Sequence, residues 1–248
     1  MRTGNPALNE NTFQGFEGTL SESGAATMTL RGTAQKTLML MVLLIGAGAV
    51  TWNLFLQQSP LVMPLMIGGA VGGLIIALAT AFKPTWAPVT APLYAIAEGL
   101  LLGGLSSMYQ SLYNGIVLQA VFLTLGTLFA MLLAYQTGFI RATQNFKLGV
   151  FAATGGIALF YIASMIMGFF GIQIPLIHGN GLLGIGFSLF VVVIAALNLV
   201  LDFDFIEEGA NRGAPKYMEW YGAYGLLVTL VWLYIEILRL LAKMNSRD

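Results

Sequence analysis

Four carboxylic acids close a long apolar stretch in the last quarter of the chain. Asp202, Asp204, Glu207 and Glu208 fall within seven positions, and Asn198 lies one helical turn before the first of them. Acids are costly in hydrocarbon and usually face a bundle interior, a cavity or an aqueous end. Carboxylates in such a place can gain or lose a proton as the pH changes, or can bind a hard cation such as Ca2+. We therefore expect the rest of the chain to form a membrane scaffold that holds this stretch.

Helical geometry divides these acids between two faces. Residues two positions apart differ by about 200° around a helix, so Asp202 and Asp204 point in different directions. Asn198 and Asp202 share one face, and Asp204 shares the opposite face with Glu208. We predict that the face with Asn198 and Asp202 looks inward. The alternative is that all four acids only mark the point where the helix leaves the membrane.

A further acid, Glu98, lies in the apolar stretch YAIAEGLLLGG. We expect it at a depth comparable with that of Asp202 and Asp204, on a different helix. Two inward acids would share protons and titrate as a coupled pair. Such a pair predicts a pH switch or a Ca2+ site formed by Asp202 and Glu98. The alternative for Glu98 is a protonated acid that is hydrogen-bonded to a neighbouring helix.

The last apolar stretch contains Glu236, three residues before Arg239, a spacing that permits a helical ion pair. Either this is an interfacial pair, or Glu236 lines the external half of an ion path, with Thr229 two turns earlier on nearly the same face. Lys83 is either an interior counter-ion to an acid or an ordinary anchor at the membrane surface. The single histidine, His178, receives no function.

The composition is that of an integral membrane protein. The chain of 248 residues is 57% hydrophobic and 9% charged, whereas soluble domains carry about 25% charged residues. Its formal charge is zero, which gives no indication of nucleic-acid binding. The absence of cysteine excludes disulfides and thiolate metal sites. We also find no nucleophile–base motif or phosphate-binding loop, so we expect no enzyme activity and no required cofactor.

The apolar pattern predicts an all-α membrane protein with seven spanning helices, since a span needs about 20 mostly apolar residues. The predicted spans are Thr37–Leu56, Leu61–Phe82, Ala91–Tyr109, Gly115–Tyr135, Leu148–Phe169, Leu182–Phe205 and Trp220–Leu241. Short connections leave no room for a soluble domain. We therefore predict a flexible polar tail at 1–34, one transmembrane domain at 35–243 and a short tail at 244–248.

The basic residues predict the orientation. With the N-terminus in the cytoplasm, the cytoplasmic segments hold eight Lys and Arg residues and the three external connections hold none. Seven full spans would place Arg239, Lys243 and Arg247 outside, unless the last helix returns its tail to the cytoplasm. Closely spaced glycines predict tight helix contacts: Gly68, Gly69, Gly72 and Gly73 on the second span, and Gly99 and Gly103 on the third. They do not determine an oligomeric state.

The segments LVLDFDFIEEG and LYIEILRLL resemble the Bax inhibitor family of membrane proteins, and NPALNENTF and YAIAEGLLLGGLSS resemble its bacterial branch. The resemblance covers about residues 34 to 243. It implies a bundle whose last helix is central, wrapped by the other six. It also implies a pair of carboxylates, on the sixth and seventh spans, that holds a pore closed. Asp202 matches the first of these; Thr229 lies where the second is expected, and Glu236 is the nearest acid. Lys83 is a rough counterpart of the family's basic residue.

The resemblance implies a pH-sensitive Ca2+ leak in bacterial members, and roles in Ca2+ balance and cell-death suppression in eukaryotic ones. We therefore expect a Ca2+ leak channel or cation/proton exchanger of the inner cell membrane, gated by protonation around Asp202. Its expected partners are the lipid bilayer and Ca2+ or protons. The alternative is a non-transporting regulator that binds another membrane protein, such as a membrane protease, through its polar tail and glycine-rich helix faces.

Overall fold

Seven long helices make up most of the part of the chain that the structure describes. The computed structural model describes residues 27–171, 174, 179 and 181–246. The helices are α1 (Leu30–Leu56), α2 (Val62–Phe82), α3 (Ala87–Leu112), α4 (Ile116–Gln136), α5 (Gln144–Phe169), α6 (Leu182–Asn211) and α7 (Met218–Asn245). All seven are long and apolar enough to cross a membrane. The predicted class, an all-α protein with seven membrane-spanning helices, is thereby confirmed.

The first helix begins earlier than its hydropathy predicts. It starts at Leu30 and not at Thr37, because Thr29 adopts the extended conformation of an N-cap and its hydroxyl accepts a hydrogen bond from Gly32 N at 3.0 Å. Residues 30–34 of the predicted tail are thus helical, and Met28 before them is buried. The rest of the predicted tail, residues 1–26, lies outside the described part of the chain.

The sixth helix continues past its acids. It ends at Asn211, three residues after Glu208, and not at Phe205. All four acids therefore lie within a continuous helix, which corrects the predicted end of this span. A short 3-10 turn, Pro84–Trp86, leads into α3, which begins four residues before its predicted start.

The described residues fall into two compact units, and α6 and α7 each contribute to both. One, the α1–α3 unit, consists of residues 27–112 with Asp202–Val228. The other, the α4–α5 unit, consists of Tyr113–Leu201 with residues 229–246. Whether the transmembrane region behaves as one domain stays a prediction. The core of the α4–α5 unit includes Ile157 of α5 packed with Val191 and Ile194 of α6.

Glycines determine the packing of α3 in the α1–α3 unit. A side chain at Gly99 or Gly103 would collide with the backbone carbonyl of Leu44 or of Gly48 on α1. On α2, Gly69 is buried against α3, whereas Gly68 has open space where a side chain would be. Small residues let membrane helices approach closely. Of the two overlapping glycine pairs predicted on α2, the structure uses Gly69 with Gly73.

The helices differ strongly in burial. In the most apolar window of each helix, 61% of residues are buried in α7 and 50% in α6, against 11–17% in α1, α2, α4 and α5. The last two helices are therefore the most buried of the seven. Large apolar side chains are exposed along the other helices, for example Leu74, Ile75 and Leu78 on α2. Such surfaces are suited to lipid, so the protein contacts the bilayer.

We predict that Gly103→Ala destabilises the protein by about 1–3 kcal/mol, because the added methyl group overpacks the α1–α3 contact. Gly68→Ala is the matched control and should be neutral or slightly stabilising, since alanine favours helix and this position is open. The free energy of unfolding in detergent micelles measures both. Equal losses in the two variants would contradict the proposed contact.

Candidate functional site

Asp202 is a buried acid in a membrane-spanning helix. It is 1% exposed, and Asn198, one turn earlier on α6, is 3% exposed. The Asn198 amide donates to Thr154 Oγ1 on α5 and to Ile194 O, both at 2.8 Å. The prediction that Asn198 and Asp202 face inward is confirmed. Their role in ion passage stays a prediction.

The remaining acids of this stretch have different surroundings. Asp204 is half-buried and Glu207 is exposed. Glu208 accepts from Arg212 one turn later, at 2.5 Å, so it forms a surface ion pair. Since the backbone is helical throughout, Asp202 does not mark the end of the helix. The alternative that these acids mark the point where the helix leaves the membrane stays a prediction.

Glu98 lies at a seam between α3 and α2. Its Oε1 occupies the space that Gly73 leaves free, because a methyl group at Gly73 would lie 2.8 Å from it. Its carboxyl is hydrogen-bonded to Tyr94, one turn earlier on α3. The Tyr94 ring meets the ring of Tyr224 on α7 edge-on, with centroids 5.1 Å apart. The hydroxyl of Tyr224 donates to Ala77 O on α2, at 3.2 Å.

Glu236 belongs to a buried polar cluster in the α4–α5 unit. It is 1% exposed and pairs with Arg239 at 3.1 Å, as their spacing predicts. Tyr161 on α5 donates to Glu236 Oε1 at 2.9 Å and accepts from Arg239 at 2.9 Å. Whether this pair lies at the membrane interface or Glu236 lines an ion path stays a prediction. Thr229, two turns earlier, is also buried.

The described residues contain no group of three or more His, Cys, Asp or Glu side chains that could hold a metal ion. A resident Ca2+ usually takes six to eight oxygen ligands. The Ca2+ site predicted at Asp202 and Glu98 stays a prediction. Lys83 lies over the Trp86 ring, 4.5 Å from its centroid, at the end of α2. That position fits the surface-anchor interpretation, and its counter-ion role stays a prediction.

Comparison with known proteins identifies the family. A model of the family described as Bax inhibitor 1 like matches residues 5–246, nearly the whole chain. The chain belongs to the Bax inhibitor 1 like family. No curated protein and no solved structure matched it. Membership and the seven apolar helices together make it a multi-pass membrane protein of this family.

One buried charge cluster was not predicted from the sequence. Glu219, in the first turn of α7, is fully buried. It accepts from Lys36 and Lys216 at 2.7 Å each, and from the backbone N and the hydroxyl of Thr29 at 3.0 and 2.8 Å. Gly32 is required nearby, because any side chain there would overlap the Glu219 carboxylate. The cluster ties the start of α1 to the start of α7.

Backbone contacts reinforce the same junction. Met28 N donates to Ala214 O at 2.7 Å, and Thr27 forms an isolated bridge with Pro215. The spacing of Lys216 and Glu219 could have indicated a local pair. Lys36 lies 183 positions from Glu219, so no local spacing in the sequence indicated that the two residues pair.

A second unpredicted residue is Lys243 at the end of α7. It is 5% exposed and donates to Gly184 O at 3.1 Å and Ser188 Oγ at 2.9 Å on α6. Its position one turn after Arg239 would have suggested only a snorkelling side chain. In the structure it joins α7 to α6.

We predict that Glu219→Gln lowers the free energy of unfolding by about 1–3 kcal/mol, because two ammonium groups lose a charged acceptor. Glu207→Gln, at an exposed position, is the control and should change stability by no more than about 0.5 kcal/mol. Denaturant titration in micelles distinguishes them. If both variants match the wild type, the cluster does not stabilise the junction.

Proposed function

We propose that this protein is a pH-sensitive Ca2+ leak channel or cation/proton exchanger of the inner cell membrane, gated by protonation at Asp202. The observation that supports the proposal best is the burial of Asp202 at 1% exposure within α6. Ionisable residues within membrane helices commonly mark ion paths and proton relays. Membership of the Bax inhibitor 1 like family agrees with a membrane transport role.

The chemistry of the proposed gate follows from charge. An ionised Asp202 carries a negative charge that attracts a divalent cation, and protonation removes that charge. Asn198 adds a second oxygen one turn away. Both hydrogens of its amide nitrogen are used in bonds to Thr154 and Ile194, so the carbonyl oxygen is held in one orientation. Carboxylate and amide oxygens are ligands that Ca2+ prefers. The proposal includes no enzyme activity and no required cofactor.

The other candidate residues extend the proposed path. Glu236 and Thr229 are buried on α7 and supply a carboxylate and a hydroxyl. Arg239 neutralises Glu236 in the arrangement observed. A cation would therefore meet a compensated acid at Glu236 and an acid of variable charge at Asp202.

We predict that Ca2+ flux into proteoliposomes depends on pH for the wild type and loses that dependence in Asp202→Asn, which is neutral at every pH. Flux measured at about pH 6 and about pH 8 tests this, since buried acids can titrate in that range. Glu207→Gln, exposed at the end of α6, serves as the matched control and should retain the wild-type dependence.

Absence of Ca2+ flux above empty vesicles at both pH values would refute the transport proposal. The hypothesis of a non-transporting regulator would then be favoured. Its test is capture of partner membrane proteins with and without residues 1–26, a deletion that leaves Thr29 and α1 intact. If Asp202→Asn passes Ca2+ with the same pH dependence as the wild type, the protein transports Ca2+ but its gate is not Asp202.

The orientation with a cytoplasmic N-terminus gains support from the contacts of α7. Arg239 and Lys243 are two of the three basic residues that disagreed with it. Both are bonded within the helix bundle, to Glu236 and Tyr161 and to Gly184 and Ser188. They are therefore not loop charges of the kind that sets topology. We propose seven full crossings with the C-terminus outside.

Because the chain has no cysteine, single substitutions can report this topology. We predict that Arg141→Cys, between α4 and α5, is protected from a membrane-impermeant thiol reagent in intact cells. Ser59→Cys, between α1 and α2, and Ser246→Cys should react. Permeabilised cells provide the control in which all three react. Protection of Ser246→Cys before permeabilisation would show that the C-terminus returns to the cytoplasm.

A further inference from the structure

Glu98 lies where the seam between α2 and α3 reaches the lipid-facing surface. The residue is partly exposed, whereas Gly73, against which its carboxyl rests, is buried. The apolar residues that follow Gly73 on α2, namely Leu74, Ile75 and Leu78, are 50–61% exposed. Exposed apolar side chains on a membrane helix face lipid. The Glu98 carboxyl therefore borders a surface that lipid covers.

Glu98 lies close to the middle of its helix. It is the twelfth of the 26 residues of α3, which places it about 17 Å from the start of a helix about 39 Å long. The hydrocarbon layer is about 30 Å thick. Water and headgroups at either surface are thus distant from this carboxyl.

The groups that face Glu98 are phenols and not cations. Tyr94 is hydrogen-bonded to it, and Tyr224 lies beside Tyr94. The α2 sequence has no ionisable residue from Val62 to Phe82. Glu98 takes part in none of the ion pairs formed by the described residues, in contrast to Glu219 and Glu236. Apolar surroundings without a cationic partner favour the neutral acid.

We propose that Glu98 is a proton-binding site that opens to the lipid layer, where a hydrophobic carbodiimide reaches and modifies it. The neutral acid transfers its proton to one nitrogen of the carbodiimide, and the carboxyl oxygen adds to the central carbon to give an O-acylisourea. Migration of the acyl group to nitrogen then yields a stable N-acylurea. The reaction is an addition, so no leaving group or oxidant is needed.

In this proposal the Glu98 carboxyl binds the proton, whereas Asp202 interacts with Ca2+. Only one consequence rests on the proposed function, namely that modification of Glu98 changes ion flux. The labelling itself requires only the geometry of the α2–α3 seam.

The test uses the full-length protein in liposomes with N,N′-dicyclohexylcarbodiimide, read by intact mass and peptide mapping. The expected result is one adduct, at Glu98, whose rate of formation falls as pH rises. Glu98→Gln should lose the adduct. Gly73→Ala should change the labelling rate by displacing the carboxyl, whereas Gly72→Ala, with open space at its Cβ, should label like the wild type.

The outcomes separate this inference from the transport proposal. Labelling of other acids without Glu98, or faster labelling of Glu98 by a water-soluble carbodiimide, would overturn a site that opens to lipid. An adduct at Glu98 in a protein that passes no Ca2+ would support the proton site and refute transport. If the adduct forms but leaves the Ca2+ flux unchanged, Glu98 is a proton-binding site that lies outside the ion path.

Discussion

A polar group in the hydrocarbon layer must find its partner within the protein, and this constraint accounts for the placement of the buried side chains. The simplest solution uses a single helix. The hydroxyls of the buried residues Thr33, Thr37, Thr80 and Thr124 each donate to the carbonyl one turn earlier, at 2.7–3.0 Å. A buried charged residue needs a partner of opposite charge, and the first and last turns of a helix also leave backbone groups that need hydrogen bonds. The Glu219 carboxylate meets both needs. It forms salt bridges with two lysines and accepts a hydrogen bond from the backbone N–H of Thr29, the N-cap residue of α1.

The buried acids fall into two kinds according to their partners. Glu219 and Glu236 each have a cationic partner, so their charges are compensated in place. Removing one member of such a pair leaves an uncompensated buried charge, so each pair stabilises the packing around it. Glu98 is bound by a phenol, which can accompany either the neutral or the ionised acid without a change of packing. Residues that change charge during function are expected to resemble Glu98 more than Glu219.

Local patterns in the sequence were sufficient for some of this structure. The seven helices follow from hydropathy, and the Glu236–Arg239 pair follows from a spacing of three. The inward face at Asn198 and Asp202 was predicted from helical rotation. That argument was incomplete, because Leu201, Phe203 and Phe205 are buried too, so α6 is buried on all sides near Asp202. In such a helix the rotation of a residue does not decide its burial.

Other features depend on contacts between distant parts of the chain and could not be predicted from spacing. The sequence offers two glycine pairs on α2, and only packing against α3 selects Gly69 with Gly73. Lys36 is one of the eight basic residues from which the orientation was predicted, and it also forms a salt bridge with Glu219. The early start of α1 depends on Thr29, whose hydroxyl bonds Gly32 N and Glu219 together. A cap that is itself held by another helix is not visible in hydropathy.

Exposure separates the two acids at the centre of the functional proposals. Asp202 is 1% exposed, so a Ca2+ ion has no access to its carboxyl in the arrangement observed. The proposed gating at Asp202 would therefore require a conformational change in addition to a change of charge. Glu98 is partly exposed at the α2–α3 seam, so a lipid-soluble reagent needs no such movement to reach its carboxyl. The two proposals therefore make different demands on the helices. Modification of Glu98 needs only the arrangement observed, whereas the proposed gating at Asp202 would need a state that opens around α6.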